Sequence, residues 1–145
     1  MLKFKSHISP HYYQKEAKQA LYSSFRAKKD AVPCIEMETG SGKSVVIVDI
    51  NIDAINGNRS ILNLTHSETL VAQNSQALIE MTDGGEFINI GICCAGLGGF
   101  DINNQVTFAS IQTFEKRAKE EKCLCGSSKA FVDKLHLPSV YTQAP

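Results

Sequence analysis

Apolar and polar positions recur with two different periods along this chain, and the changes of period mark its elements. Within "YYQKEAKQALYSSFRAKK", Tyr13, Ala17, Ala20, Leu21 and Phe25 are spaced as one face of a helix from Tyr12 to Lys29. Pro10 suits the first turn of that helix and Ser9 offers an N-cap, while Pro33 interrupts the chain after it. "CIEM" (Cys34 to Met37) reads as a short strand, followed by a glycine-rich turn and a helix from Ser44 to about Asn56 that stops at Gly57. "SILNLT" (Ser60 to Thr65) is a second strand, and Ser67 is an N-cap for a helix from Glu68 to about Met81 that ends at "TDGG". "INIGICC" (Ile88 to Cys94) and "VTFAS" (Val106 to Ser110) complete the strands, with "GLGG" as a turn between them and a charged helix, Ile111 to Lys122, after them. Strands alternating with helices predict an α/β domain with a mostly parallel sheet. The segment after residue 122 has weak periodicity, and Pro138 and Pro145 discourage a helix there, so residues 1–122 are expected to form the domain and 123–145 an irregular tail.

Composition narrows the field only moderately. The 145 residues fit one ordinary domain, 43% are apolar, and fifteen basic and fifteen acidic side chains cancel. A global basic field for nucleic acid is therefore absent, although local phosphate contacts need none. No apolar run is long enough to span a membrane and the first ten residues lack a signal-peptide core, which makes a cytoplasmic location the expectation. The five cysteines include a C-x-C pair, Cys123 and Cys125, with His136 as a third conceivable zinc ligand; a second pair at suitable spacing is missing.

The chemistry concentrates in "TGSGKS", Thr39 to Ser44, between a predicted strand and a predicted helix. Gly40 and Gly42 let backbone N–H groups converge on an anion, with Thr39 and Ser41 in the same loop, and the helix beginning near Lys43 adds the partial positive charge of its N-terminus. Lys43 suits the β- and γ-phosphates of a nucleotide, and the Ser44 hydroxyl suits Mg2+. The general pattern asks for glycine at position 37, where Met37 stands.

Four segments in order, "YYQKEA", "METGSGKS", "LTHSETLVAQN" and "VTFASIQTF", resemble the first RecA-like domain of superfamily 2 helicases of the DEAD/DEAH type, with RadD-type helicases as the nearest match. The likeness runs from about Ile8 to Arg117. It implies a P-loop NTPase fold, a three-layer sandwich around a mostly parallel sheet, here incomplete, with ATP and Mg2+ as ligands. Met37 fits that family, whose loop commonly lacks the first glycine; many members carry proline where Glu38 stands. The resemblance makes Gln14 the reader of adenine, since an amide both donates and accepts; the usual Arg-Pro before Tyr-Gln is replaced by His11 and Tyr12, and a plain polar helix residue is the other reading. It makes Thr65, His66 and Ser67, and then Ser110, Gln112 and Thr113, contacts to the backbone of a nucleic-acid strand, DNA by the likeness. Helix capping by Ser67 and a simple strand-to-helix junction are the structural alternatives. Gly96, Gly98 and Gly99 suit either a close backbone approach or a flexible turn.

The likeness also implies parts that this sequence does not supply. Motif II, Asp-Glu-x-His, provides the carboxylate that holds Mg2+ and the glutamate that activates water. No Asp-Glu pair follows Ser110; Asp133 and His136 in "AFVDKLH" have the spacing, with Lys134 in the glutamate's place, and are either a degenerate motif II or unrelated tail. A second RecA-like domain is also missing. The expectation is a partial helicase motor that binds ATP–Mg2+ and nucleic acid without hydrolysis, with a non-catalytic nucleotide- or DNA-binding module as the alternative; a small P-loop kinase would need an acceptor site and lid arginines that the tail lacks. A further expectation concerns folding: with the motif II strand absent, the edge beside the loop-bearing strand stands open unless Lys129–Val132 fills it.

Overall fold

The computed structural model describes residues 1–117. Asp133, His136, Cys123, Cys125 and the Lys129–Val132 segment lie outside the described residues.

The elements in chain order are β1 (Lys3–Phe4), α1 (Tyr12–Ala27), α2 (Lys43–Asn56), β2 (Ile61–Thr65), α3 (Glu68–Met81), β3 (Thr82–Asp83), β4 (Ile90–Cys94), β5 (Gly99–Phe100) and β6 (Val106–Ser110). Residues 111–117 are helical. The main sheet has the order β2-β6-β4-β5. β6 runs parallel to β2 and to β4, and β5 turns back antiparallel on β4. β1 and β3 form a separate two-stranded antiparallel ribbon. The chain is thus α/β with a mostly parallel sheet, in keeping with a partial RecA-like P-loop fold.

β6 is central, and all five of its residues are buried, as a parallel strand paired on both sides requires. Val106 and Phe108 join Val48 and Ile52 of α2, Val71 and Leu78 of α3, and Cys94 of β4 in the main core. Both helices therefore close over the sheet around the side chains of its middle strand. A second, smaller cluster joins Leu21 of α1 to Val46 and Ile50 of α2, with Tyr22, Phe25, Ile35 and Met37 against it. Ile61 at the start of β2 touches both clusters. Between them, Asn51 of α2 and Asn63 of β2 exchange side-chain amide hydrogen bonds of 3.1 and 2.9 Å. Asn51 also donates to the Ile47 carbonyl at 2.7 Å, so its buried amide has partners for its donors and its acceptor.

Two expectations fail here. "CIEM" is not a strand among the described residues: none of residues 34–37 has a sheet partner there or forms a backbone hydrogen bond with another described residue. It does keep the two-residue period of a strand, with Ile35 and Met37 half-buried on the second cluster and Cys34 and Glu36 exposed. The side-chain pattern is present; the ladder that would make it a strand is not. α1 is capped by His11 rather than Ser9, because Gln14 at its third position reaches back: its Oε1 accepts from the His11 N–H at 2.8 Å. Pro10 accordingly precedes the helix instead of opening it. The turn at "GLGG" holds a short strand, β5, and the ribbon β1–β3 carries no period long enough to read.

Candidate phosphate loop and sheet edge

The loop before α2 is closed by Ser41. Its N–H donates to the Glu38 carbonyl at 3.2 Å and its hydroxyl donates to the same oxygen at 2.6 Å. Gly40 and Gly42 have φ of 82° and 81°, in the left-handed region that favours glycine. Gly42 is the N-cap of α2, and its carbonyl takes the first helical bond, from the Val45 N–H at 3.0 Å. The N–H groups of Lys43 and Ser44 lie ahead of that bond and have no backbone acceptor among the described residues. A 14-residue helix adds its dipole at the same point. Two unsatisfied amides, two left-handed glycines and a lysine at a helix start form a cradle suited to a phosphate.

α1 holds this loop in place. Gln14 is 3% exposed, and its Nε2 donates to the carbonyls of Ser41 at 3.0 Å and Gly42 at 3.3 Å. With its Oε1 taken by His11, the amide is committed at both ends within the chain. The Tyr13 hydroxyl also donates to the Ser41 carbonyl, at 3.1 Å. A Cβ on Gly42 would push aside the end of the Gln14 side chain, so a residue other than glycine there would disturb those bonds as well as strain φ. His11 and Tyr13 stack with ring centroids 5.5 Å apart, and Tyr12 meets Tyr13 edge-on at 5.6 Å. Between α1 and the loop lies an open groove of about 790 Å³, lined by Tyr13, Glu16, Ala17, Ala20 and residues 34–41. Its volume is in the range of small-ligand sites.

One and two turns further along α1, charge takes over from the amide. Lys18 Nζ sits 2.9 Å from Asp49 Oδ2 and 3.0 Å from Asp53 Oδ2, both on α2. The Tyr22 hydroxyl donates to Asp53 at 2.8 Å. Burial works against the Lys18 charge, but the hydrogen bonds and the charges of Asp49 and Asp53 outweigh it and raise its pKa. Burial, the Asp53 hydrogen bond and the neighbouring carboxylates push the Tyr22 hydroxyl up as well.

The other candidate residues meet at the carboxyl ends of the parallel strands. Thr65 and Ser110 are paired neighbours, closing β2 and β6 side by side, and β4 ends beside them at Cys94. Parallel sheets present ligands at this end. Thr65 and Ser110 are buried and bonded internally: Thr65 donates to the Ser67 carbonyl at 3.2 Å, and Ser110 Oγ donates to Thr113 Oγ1 at 2.9 Å while accepting from the Thr113 N–H at 3.4 Å. Ser67 caps α3 by accepting from the Leu70 N–H at 3.4 Å. Thr113 Oγ1 also accepts from the Ala95 N–H at 3.0 Å, which ties the turn after β4 to the helix after β6. His66 and Gln112 are the exposed members of the set. The space above Gly96 is filled by the Glu68 carboxylate from the first turn of α3.

The family model for the type III restriction enzyme res subunit matches residues 7–136. The chain belongs to that family. Its members are domains of helicase superfamily 2, which identifies the chain with the amino-terminal domain of such helicases but not with the RadD type in particular. The match takes in both the loop and the sheet edge, and it runs beyond residue 122 to include Asp133 and His136. A comparison with curated proteins finds no match. Among the described residues there is no group of three or more metal-ligating side chains, and no helix is long and apolar enough to cross a membrane.

Sequence reasoning missed three participants. Tyr13 was read only as an apolar helix position, and its hydroxyl gave no sign of reaching the loop. Glu68 was unmarked apart from its place at a helix start. Lys18 left one trace, the spacing of Asp49 and Asp53 one turn apart on α2, which puts two carboxylates on one face in need of a cation.

Proposed function

We propose that this chain binds ATP–Mg2+ at Thr39–Ser44 and the backbone of a nucleic-acid strand along the ends of β2, β6 and β4, as the nucleotide-binding domain of a superfamily 2 DNA helicase or translocase. The observation that carries the reading is the pair of unsatisfied amides at Lys43 and Ser44 behind two left-handed glycines, in a chain of this family. Lys43 offsets phosphate charge, and the Ser44 hydroxyl is offered to Mg2+, which when bound neutralises the phosphates further. Gln14 fixes the loop carbonyls; reading adenine as well requires it to exchange those bonds. His66 and Gln112 make the side-chain contacts to the strand, while Thr65, Ser67, Ser110 and Thr113 set the shape beneath them.

Hydrolysis is a separate matter. No Asp-Glu pair follows Ser110 in this sequence, whether Asp133 and His136 belong to a degenerate motif II or to unrelated tail. We therefore read the chain as a module that binds ATP without turning it over, with Asp133 as a candidate second Mg2+ contact on the first alternative. The test is ATP binding by calorimetry, with ATPase rates with and without single-stranded DNA, for the chain and for Lys43→Ala. Binding without turnover, lost in the variant, is expected. DNA-stimulated turnover that disappears in Lys43→Ala would overturn the non-catalytic reading, and absence of ATP binding would overturn the whole.

A further inference from the structure

α1 meets the loop and α2 at three levels. Gln14 holds the Ser41 and Gly42 carbonyls; Lys18, one turn on, bridges Asp49 and Asp53; Leu21 lies in the apolar cluster with Val46 and Ile50. Gln14, Lys18 and Leu21 follow helical spacing and share one face of α1. On the neighbouring face of α1, Tyr13, Glu16, Ala17 and Ala20 line the open groove. The contacts that tie the amino-terminal half of α1 to the loop and α2 are thus the polar ones of Tyr13, Gln14 and Lys18, and its apolar cluster with α2 begins at Leu21. Asp49 and Asp53 stand one turn apart on α2, and removal of the cation between them leaves two like charges facing α1. The Asp49 side chain is 13% exposed and that of Asp53 42%, so solvent shields that repulsion in part, from the Asp53 side.

We propose that Lys18 is a positioning residue for the phosphate loop: its bridge to Asp49 and Asp53 sets the height at which α1 rides on α2, and thereby delivers the Gln14 amide to the Ser41 and Gly42 carbonyls. The proposal rests on the reading of that loop as the phosphate site. A merely structural bridge would contribute to the stability of the chain without acting through Gln14.

The experiment uses the full chain and the variants Lys18→Met, Lys18→Arg, Gln14→Ala and Lys18→Met with Gln14→Ala. Two quantities are read: hydrogen exchange of the Gln14 side-chain amide and the Ser41 N–H without ligand, and affinity for MgATP. Lys18→Met is expected to speed exchange at both groups and to weaken MgATP about tenfold, Lys18→Arg to restore both, and the double variant to be no weaker than Gln14→Ala by more than about twofold, as coupled residues require. Unchanged exchange in Lys18→Met, or losses of affinity that multiply in the double variant, would overturn the proposal. If the parent chain fails to bind MgATP, the phosphate reading falls while the exchange arm still decides the role of Lys18. Should Lys18→Met not fold, Asp49→Asn removes half of the bridge and must give a smaller change of the same kind at the Gln14 amide; no change there overturns the proposal equally.

Discussion

Around β6, every strand contact is made: β6 is paired on both sides, its five residues are buried, and α2 and α3 close over Val106 and Phe108. Around residues 34–44 the opposite holds. A half-buried segment has no ladder among the described residues, and the loop after it is held by the Gln14 amide and the Tyr13 hydroxyl of α1, while Lys18 ties α1 to Asp49 and Asp53 of α2. One region is fixed by packing and the other by a few directed bonds. The first can lose a polar contact with little consequence. In the second, the loop at residues 39–44 is fixed mainly by such contacts while Ile35 and Met37 before it pack on the smaller cluster, so changes in the loop should alter binding more than folding.

The largest expected effect breaks the packed side. Phe108 is 1% exposed at the centre of the main core, and Phe108→Ala should cost about 3–5 kcal/mol in chemical denaturation. Met37→Ala on the half-buried segment should cost clearly less, about 1–2 kcal/mol, because Met37 packs on one side only. Equal losses at the two positions would mean that residues 34–37 are as well supported as β6, and the contrast would fail.

Gly42→Ala comes next and separates folding from binding. Its left-handed φ and the collision with the Gln14 amide together should cost about 1–3 kcal/mol. MgATP binding should fall below detection, because the cradle must open to admit the methyl group. Gly40→Ala is the control: its φ is just as unfavourable, but nothing lies within 4 Å of an added Cβ, so Gln14 keeps its bonds. Comparable loss of the Gln14 amide signal in both variants would show that backbone strain alone, without the clamp, sets the loop.

These contrasts also explain how far the sequence could be read. α3 and β6 lie where the pattern put them, Glu68–Met81 and Val106–Ser110, because packing enforces the period that the residues announce. Residues 34–37 carry the same kind of pattern without the ladder, since pairing depends on a neighbour that the segment itself does not encode. The loop was legible as a cradle from its glycines, Lys43 and Ser44. The clamp was not: the sequence leaves Gln14 as either a reader of adenine or a polar helix residue, and its bonds to the Ser41 and Gly42 carbonyls are not signalled by any local spacing. The Asn51–Asn63 exchange was hidden for a similar reason, as two polar residues in apolar stretches that find each other only in space.

Alkaline titration should sharpen the comparison from the loop side. Lys18 and Tyr22 both have raised pKa values in the folded chain, so each favours its protonated form there. Their contribution to stability is complete below their unfolded values, near 10, and is lost as pH rises through the folded ones. Unfolding followed from pH 8 to 11 should show stability falling in the upper part of that window. Tyr22→Phe should flatten the part of the fall that belongs to the tyrosine, while Phe108→Ala should lower the whole curve without changing its slope. A slope untouched by Tyr22→Phe would place the alkaline sensitivity elsewhere.

The smallest effect concerns the sheet edge. The Glu68 carboxylate lies in the first turn of α3, where it favours the helix dipole, and fills the space over Gly96 beside the ends of β2 and β6. A phosphate at His66 and Ser67 would share that corner with a negative charge. Glu68→Gln keeps the shape and removes the charge. It should cost about 0.3–1 kcal/mol of stability through the lost dipole interaction. Affinity for single-stranded DNA should nevertheless rise about two- to threefold at low salt and lose that advantage near 0.5 M salt, as screened charges do. The opposite signs are the point of the test, because a residue that served only the helix would weaken both. Equal DNA affinity at low salt would mean that no phosphate comes near this end of α3, and the track would have to run past Gln112 alone.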